Sequence, residues 1–286
     1  MHKSVRKIVS SRWLVILLLL VCAQFAVAQQ PAPSASPSQS PAARDVHARV
    51  TETPIDSSIS DDPAVDKMLA VYSPKVRALD VVIGKLKGEL RKGGAGSGSL
   101  GNFVADGMRA QAGVKLGRPV DLALMNGGGL RRNNIGEGEL RARDIFELLP
   151  FENALVTLDL TGEQVLKLLG VVVSSREAQS GARITYVIKA DKSWQLETAR
   201  LLEKEIDPKA TYTVVTIDYL VNVGGDRYAV LREGKNTRPL GITLRDTMMD
   251  YVKSETAAGR DIKPSLDGRF VLDRVNSVLS GEAPPK

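Results

Sequence analysis

A single α+β domain, with mixed sheets flanked by helices, is the fold class that the sequence predicts, and three observations carry it. Apolar and β-branched runs at residues 120–125 and 212–217 read as buried strands. Between them, Thr161-Gly162-Glu163-Gln164 has the spacing of a capping box, and it opens a helical pattern with Val165, Leu168 and Leu169 inward. No repeat of 20 to 50 residues is visible, so the pattern belongs to one buried core rather than to an array.

The two ends of the chain are of different character. Lys3, Arg6, Lys7 and Arg12 precede the apolar stretch 13–23, and Ala26-Val27-Ala28 offers a small-residue cleavage site, so residues 1–28 read as a secretory signal. That stretch falls short of the ~20 apolar residues of a spanning helix. The sequence therefore predicts no membrane span and a secreted or periplasmic location. The signal holds four of the 39 basic residues and no acidic one, which leaves 35 against 33 and lowers the net charge from +6 to +2. A basic footprint for nucleic acid is thus absent. Residues 29–61, rich in Pro, Ala and Ser, are expected to form a disordered linker, residues 62–275 the domain, and residues 276–286 a disordered tail.

Within the domain the elements follow in order. Asp62-Pro63 is a helix cap with proline at the first turn, and Val65, Leu69, Tyr72, Val76 and Leu79 recur at helical spacing until Pro74 kinks or ends the helix. Val81-Val82-Ile83 reads as a strand, and the glycine-rich run 93–99 as a flexible surface connection. Residues 102–111 read as a helix with Phe103, Val104, Met108 and Ala110 buried. Asp144 can cap a short helix over 145–149 that Pro150 terminates. Residues 155–160 alternate, with Val156, Leu158 and Leu160 on one face and Thr157 and Asp159 on the other. Ile184, Tyr186 and Ile188 mark a further strand. A helix over 243–253 and a strand over 269–272 close the domain.

The chemistry begins at Met125-Asn126-Gly127-Gly128-Gly129-Leu130-Arg131, a junction of strand, glycines and arginine. Glycines permit positive φ and close approach of a ligand to the main chain, Asn126 brings an amide, and Arg131 a fork of donors suited to carboxylate or phosphate. Read alone, the run is equally a tight turn with Arg131 and Arg132 solvated. It is neither a dinucleotide fingerprint nor a P-loop, because Arg132 stands where a third spaced glycine belongs and no Gly-Lys-Ser/Thr follows. The only cysteine is Cys22 and the only histidines are His2 and His47. The folded part therefore lacks the side chains for a histidine-based triad, a thiol nucleophile or a histidine-rich two-metal site.

Four segments in this order carry a resemblance: Leu100-Gly101-Asn102-Phe103-Val104-Ala105-Asp106, the Asn126 to Arg131 junction, Leu148-Leu149-Pro150-Phe151-Glu152-Asn153, and Asp218-Tyr219-Leu220-Val221-Asn222-Val223-Gly224-Gly225-Asp226. Over residues 64–275 the chain resembles the C-terminal, substrate-binding domain of the 5'-nucleotidase and UDP-sugar hydrolase family, without its metallophosphatase domain. The resemblance implies that Phe151 forms one wall of a slot that stacks a nucleobase. It also implies that Asp226 accepts from the ribose hydroxyls, that Asn126 contacts the base with Gly128 and Gly129 beside it, and that Arg131 faces the phosphate. Taken by itself, Phe151 is a core candidate and Asp226 a turn cap. The second aromatic wall is offset by one residue: either Tyr219 bulges into place, or Leu220 leaves the slot one-sided. An aromatic face is what stacking requires, which favours Tyr219. The ligand expected is a nucleotide or nucleoside, and the partner a metallophosphatase subunit. This chain is expected to bind no cofactor, divalent metals being expected only on the partner. The alternatives are a non-enzymatic nucleoside-binding module and a degenerate structural domain.

Overall fold

The computed structural model describes residues 50–278. The predicted signal, the linker up to residue 49 and the end of the predicted tail lie outside the described residues. The described residues divide into two parts, before and after Asp61. Of the first part, residues 50–60 are exposed and hold one turn, in which Ser58 N donates to Asp56 Oδ1 at 2.9 Å.

The second part runs through helices α1 (Pro63–Ala70) and α2 (Ser73–Arg77), strands β1 (Val82–Leu86) and β2 (Leu90–Arg91), helix α3 (Gly98–Leu116) and strand β3 (Leu122–Met125). Strands β4 (Asn134–Ile135) and β5 (Gly138–Arg141) precede α4 (Ala142–Leu148), β6 (Ala154–Thr161) and α5 (Gly162–Ser175). Then come β7 (Ala178–Ser180), β8 (Ala182–Ile188), β9 (Trp194–Leu201), β10 (Lys204–Glu205) and β11 (Thr211–Ile217). Helices α6 (Asp218–Asn222) and α7 (Ala229–Arg232), β12 (Lys235–Thr243), α8 (Leu244–Ala257) and β13 (Phe270–Leu272) complete the domain.

The central sheet has the order β12-β6-β11-β3-β7 and is mixed: β11 runs parallel to β3, and the other neighbours are antiparallel. A second sheet, β10-β9-β8-β13, is joined to the first by α5, which packs on both β6 and β9. The α+β class with mixed sheets is therefore as the sequence predicts. Leu122, Leu124, Leu155, Leu158, Leu160, Val214, Val215 and Ile217 are buried in the central sheet, each contributing about 1.5–3 kcal/mol by leaving water.

The capping box at α5 is complete: Gln164 N donates to Thr161 Oγ1 at 3.3 Å and Thr161 N to Gln164 Oε1 at 2.9 Å. Asp62 caps α1 as expected, accepting from Ala64 N at 2.7 Å, and Thr243 caps α8.

Several expectations need correction. Val65, Leu69, Tyr72 and Val76 recur at helical spacing but are exposed, since α1 and α2 bury no residue. Ala110 is exposed on α3. Thr157 is buried rather than outward, because β6 is an inner strand flanked on its two sides by β12 and β11. Within the run 93–99, Gly93 and Gly94 are exposed, but from Gly96 on the run is packed rather than a surface connection. Gly94, Gly96 and Gly98 take φ of 63°, 64° and 68°, Gly96 and Ser97 are buried, and a Cβ on Gly96 would overlap the Phe270 ring. Asp144 sits inside the first turn of α4, where its carboxylate accepts from Arg141 N at 2.8 Å.

Thr161→Ala removes one half of the capping box and is expected to lower unfolding free energy by about 1 kcal/mol, measured by urea denaturation. An unchanged midpoint would show that the box carries no stability.

Candidate functional site

The sheet pairing decides which segments meet. Because β3 and β11 are parallel and β6 runs against β11 with Leu155 opposite Ile217, the ends of β3 and β11 and the start of β6 share one edge of the central sheet. Asn126 follows β3, Asp218-Tyr219 follows β11, and Phe151-Glu152-Asn153 precedes β6. Strand β7 lies against β3 with Ala178 opposite Met125, which brings Glu177 to the same edge. Ligands of sheets with parallel strands commonly sit at the carboxyl ends of those strands.

The glycine junction works differently from the reading of positive φ. None of Gly127, Gly128 and Gly129 is left-handed. They form a 3₁₀ turn capped by Asn126, with Gly129 N donating to Asn126 O at 3.0 Å. Close packing is what requires glycine here: a Cβ on Gly127 would overlap Ser97 Oγ, and one on Gly129 would overlap Met125 Cε. The Asn126 Oδ1 atom is buried without a partner. Gly128 is exposed and Gly129 buried. Lys92 Nζ donates to Leu130 O at 2.9 Å and pins the end of the turn.

Arg131 is anchored by its main chain, its N–H donating to Leu148 O at 2.9 Å. Its guanidinium carbon lies 5.6 Å from the centroid of the Phe151 ring, within cation–π range. Arg132, read as surface, instead pairs with Asp144 at 2.8 Å and Glu147 at 3.2 Å. Phe151 is 48% exposed and is not a core residue. Its loop is held by Arg245, a buried side chain that pairs with Glu152, donates to Pro150 O at 3.5 Å and lies 4.3 Å over the Phe146 ring.

Helix α6 separates the two candidates for the second aromatic wall. Leu220 is fully buried and Tyr219 is 45% exposed, so Tyr219 faces outward at the sheet edge that carries Phe151. Asp218 ties the two segments together, its Oδ1 accepting from Ala154 N at 3.1 Å and from Tyr219 N at 2.8 Å. Asp226 makes no hydrogen bond that caps its turn. Its carboxylate is fully solvated, with Arg232 Nη2 at 3.9 Å.

One residue that sequence reasoning missed joins these parts. Glu177 is 6% exposed, accepts from Gly127 N at 2.5 Å through Oε2 and from Tyr228 OH at 2.6 Å through Oε1. The glycine turn and the turn that carries Asp226 thus hang on opposite oxygens of one carboxylate. Burial first, and the bond to Glu177 second, push the Tyr228 phenol well above its ordinary value, so it remains a neutral donor. Nothing in the sequence marks Glu177, which follows the left-handed C-cap Arg176. A cleft of about 580 Å³ lined by Arg91, Gly94, Ser99 and Arg269 shares none of the candidate residues. The described residues contain no histidine or cysteine, and among them no three Asp or Glu side chains converge. The donor set does not fit a divalent-metal pair.

The family model described as 5'-nucleotidase, C-terminal domain, matches residues 82–233. The chain is 30% identical over 232 residues to protein UshA of Yersinia enterocolitica, covering 78% of this chain and 38% of that protein. It is 29% identical over 238 residues to the trifunctional nucleotide phosphoesterase protein YfkN of Bacillus subtilis, covering 76% of this chain and 16% of that one. The solved 5'-nucleotidase precursor of Thermus thermophilus is similar with a TM-score of 0.60 at 28% identity, over 73% of this chain and 43% of that one. The chain spans less than half the length of each of these relatives.

Replacing Glu177 by Ala strands the Gly127 N–H and the Tyr228 hydroxyl. The expected loss of unfolding free energy is about 2–6 kcal/mol, from two buried donors at about 1–3 kcal/mol each. Urea unfolding of Glu177→Ala beside Glu177→Gln, which keeps one acceptor and is expected to lose less, reads this directly. A loss below about 0.5 kcal/mol in both would mean that the bridge carries no weight.

Proposed function

The chain belongs to the 5'-nucleotidase C-terminal domain family, and on that premise we propose that it binds the nucleoside part of a nucleotide and presents the phosphate to a metallophosphatase domain on another polypeptide. The observation that carries this reading is the pair of half-exposed aromatic side chains, Phe151 and Tyr219, at the sheet edge where the glycine turn ends. Leaving two large rings half in water forgoes burial worth kilocalories, a cost that stacking on a base recovers. In this reading the base enters between Phe151 and Tyr219, with Asn126 at its edge and Gly128 and Gly129 allowing close approach. Asp226 accepts from the ribose hydroxyls, its carboxylate being free of any capping bond. Arg131, beside Phe151, faces the phosphate with donors suited to an oxyanion.

Catalysis belongs to the partner in this proposal. The chain would act outside the cytoplasm, in keeping with the signal read at residues 1–28, and would supply specificity while the partner's metals supply the hydrolytic chemistry. Calorimetric titration of the protein with AMP and adenosine tests the binding half, and AMP hydrolysis by a metallophosphatase with and without the chain tests the partnership. Metal-dependent AMP turnover by the pure chain alone would overturn the division of labour.

If Phe151 stacks on a base, Phe151→Ala is expected to weaken adenosine binding by about 1–3 kcal/mol with little change in thermal stability. A core phenylalanine would instead cost about 3–5 kcal/mol of stability, so calorimetry and a thermal melt of the same variant separate the two.

Arg131→Ala is expected to lower affinity for AMP more than for adenosine, because a charge-assisted bond is lost only where the anion is present. Asp226→Ala should weaken both ligands while sparing free adenine, which has no ribose. Equal losses for AMP and adenosine in Arg131→Ala, or no loss in Asp226→Ala, would count against placing these residues in one nucleotide site.

A further inference from the structure

At the other end of the central sheet, away from the aromatic edge, lies a half-open cleft of about 470 Å³ lined by Arg118, Thr157, Asp159, Asn236, Thr237 and Arg238. Its construction follows from strand register. Thr157 on β6 stands opposite Val215 on β11 and Arg238 on β12, while Asp159 stands opposite Thr213 and Lys235. Directly paired residues share a face, so Arg238 is placed with Thr157, and Thr213 with Asp159. The register shifts between Lys235 and Arg238, and Asn236 takes φ of 52° there. Such bulges re-aim side chains at sheet edges.

The walls are already committed in one direction. Arg118 Nη1 donates to Thr213 Oγ1 at 2.8 Å, Thr213 Oγ1 to Asp159 Oδ1 at 3.2 Å, and Asn236 Nδ2 to Asp159 Oδ2 at 2.8 Å. Both carboxylate oxygens of Asp159 are thereby engaged. What remains unspent is donating capacity. The Arg238 guanidinium has no hydrogen bond or ion pair among the described residues, and Arg118 commits only the one nitrogen. On the floor, Thr157 is 2% exposed and its Oγ1 has no partner. A buried, unpaired hydroxyl is costly and calls for an explanation in a ligand.

We propose that this cleft is a second binding site, for a small oxyanion of the phosphate type. The anion sits between the Arg118 and Arg238 guanidiniums and takes a hydrogen bond from the Thr157 hydroxyl. Two guanidiniums against one carboxylate leave the cleft net positive, and the planar forks match the oxygens of a tetrahedral anion. The site is separate from the nucleotide edge, since Asp159 and Thr213 lie at the opposite ends of β6 and β11 from Leu155 and Ile217.

The test is calorimetric titration of the full chain with inorganic phosphate in a low-salt buffer free of other polyvalent anions. Saturable binding is expected, weakened about tenfold or more by Arg238→Gln, the loss that one charge-assisted hydrogen bond represents. Thr157→Val is expected to weaken binding as well, while its melting temperature holds or rises because an unpaired buried hydroxyl is gone. Should that variant fail to fold, Arg238→Gln decides alone, being an exposed change on an edge strand. A phosphate-binding step that persists in Arg131→Ala and is lost in Arg238→Gln is expected, which separates this cleft from any phosphate held at the nucleotide edge. Absence of saturable binding, binding that is unaffected by Arg238→Gln, or binding abolished by Arg131→Ala would each overturn the proposal.

Discussion

The buried Glu177 carboxylate is the contact on which the arrangement of the sheet edge depends. Its two oxygens hold a backbone N–H of the glycine turn and the hydroxyl of Tyr228, groups 101 positions apart in the sequence. A carboxylate at 6% exposure is tolerable only because both oxygens are satisfied by donors that cannot rotate away: one is main chain and the other is a packed phenol. The same bonds fix where Gly127 and the turn before Tyr228 sit relative to one another. Sheet pairing places the strands to within a register, and Glu177 then sets the loops between them.

Around that bridge the loops are pinned rather than free. Lys92 holds Leu130, Arg245 holds the 150–152 loop, and Asp218 holds Ala154 to the start of α6. Each of these anchors spends a charged or polar side chain on a main-chain group, which leaves few rotamers to be frozen when a ligand arrives. Preorganisation of this kind improves affinity by reducing what binding must order. Phe151 and Tyr219 stay half exposed beside neighbours that are tied in place.

Much of the fold was legible in the sequence, and the reasons are local. The box at Thr161 and Gln164, the cap at Asp62 and the β-branched run of β11 are settled within a few residues, so propensity and hydrogen-bond chemistry identify them. Thr157 was misjudged because alternation within β6 says nothing about how many strands flank it. Gly127 and Gly129 were assigned a backbone role, yet their reason lies in packing against the side chains of Ser97, 30 positions before Gly127, and of Met125 at the end of β3. The apolar spacing of α1 and α2 correctly marked helices without telling what they pack on. Of the candidate residues, Asn126, Arg131, Phe151 and Tyr219 gather at one edge through pairings a single sequence does not display. Glu177 and Arg245 were invisible because their partners are 50 and more than 90 residues away.

The choice between Tyr219 and Leu220 is decided by where β11 ends. A strand continuing past Ile217 would send alternate side chains to opposite faces, and an extra residue would reverse every one of them. Instead β11 ends at Ile217, and the helical turn of α6 follows at once, its first residue, Asp218, accepting from Tyr219 N. A helical turn spreads its side chains around an axis, so Leu220 can fill the core while Tyr219 points outward from the adjacent position. After α6, Gly225 adopts φ of 73° and Gly224 packs against Leu220 and Tyr228. An aromatic ring is therefore kept at the sheet edge by burying its neighbour.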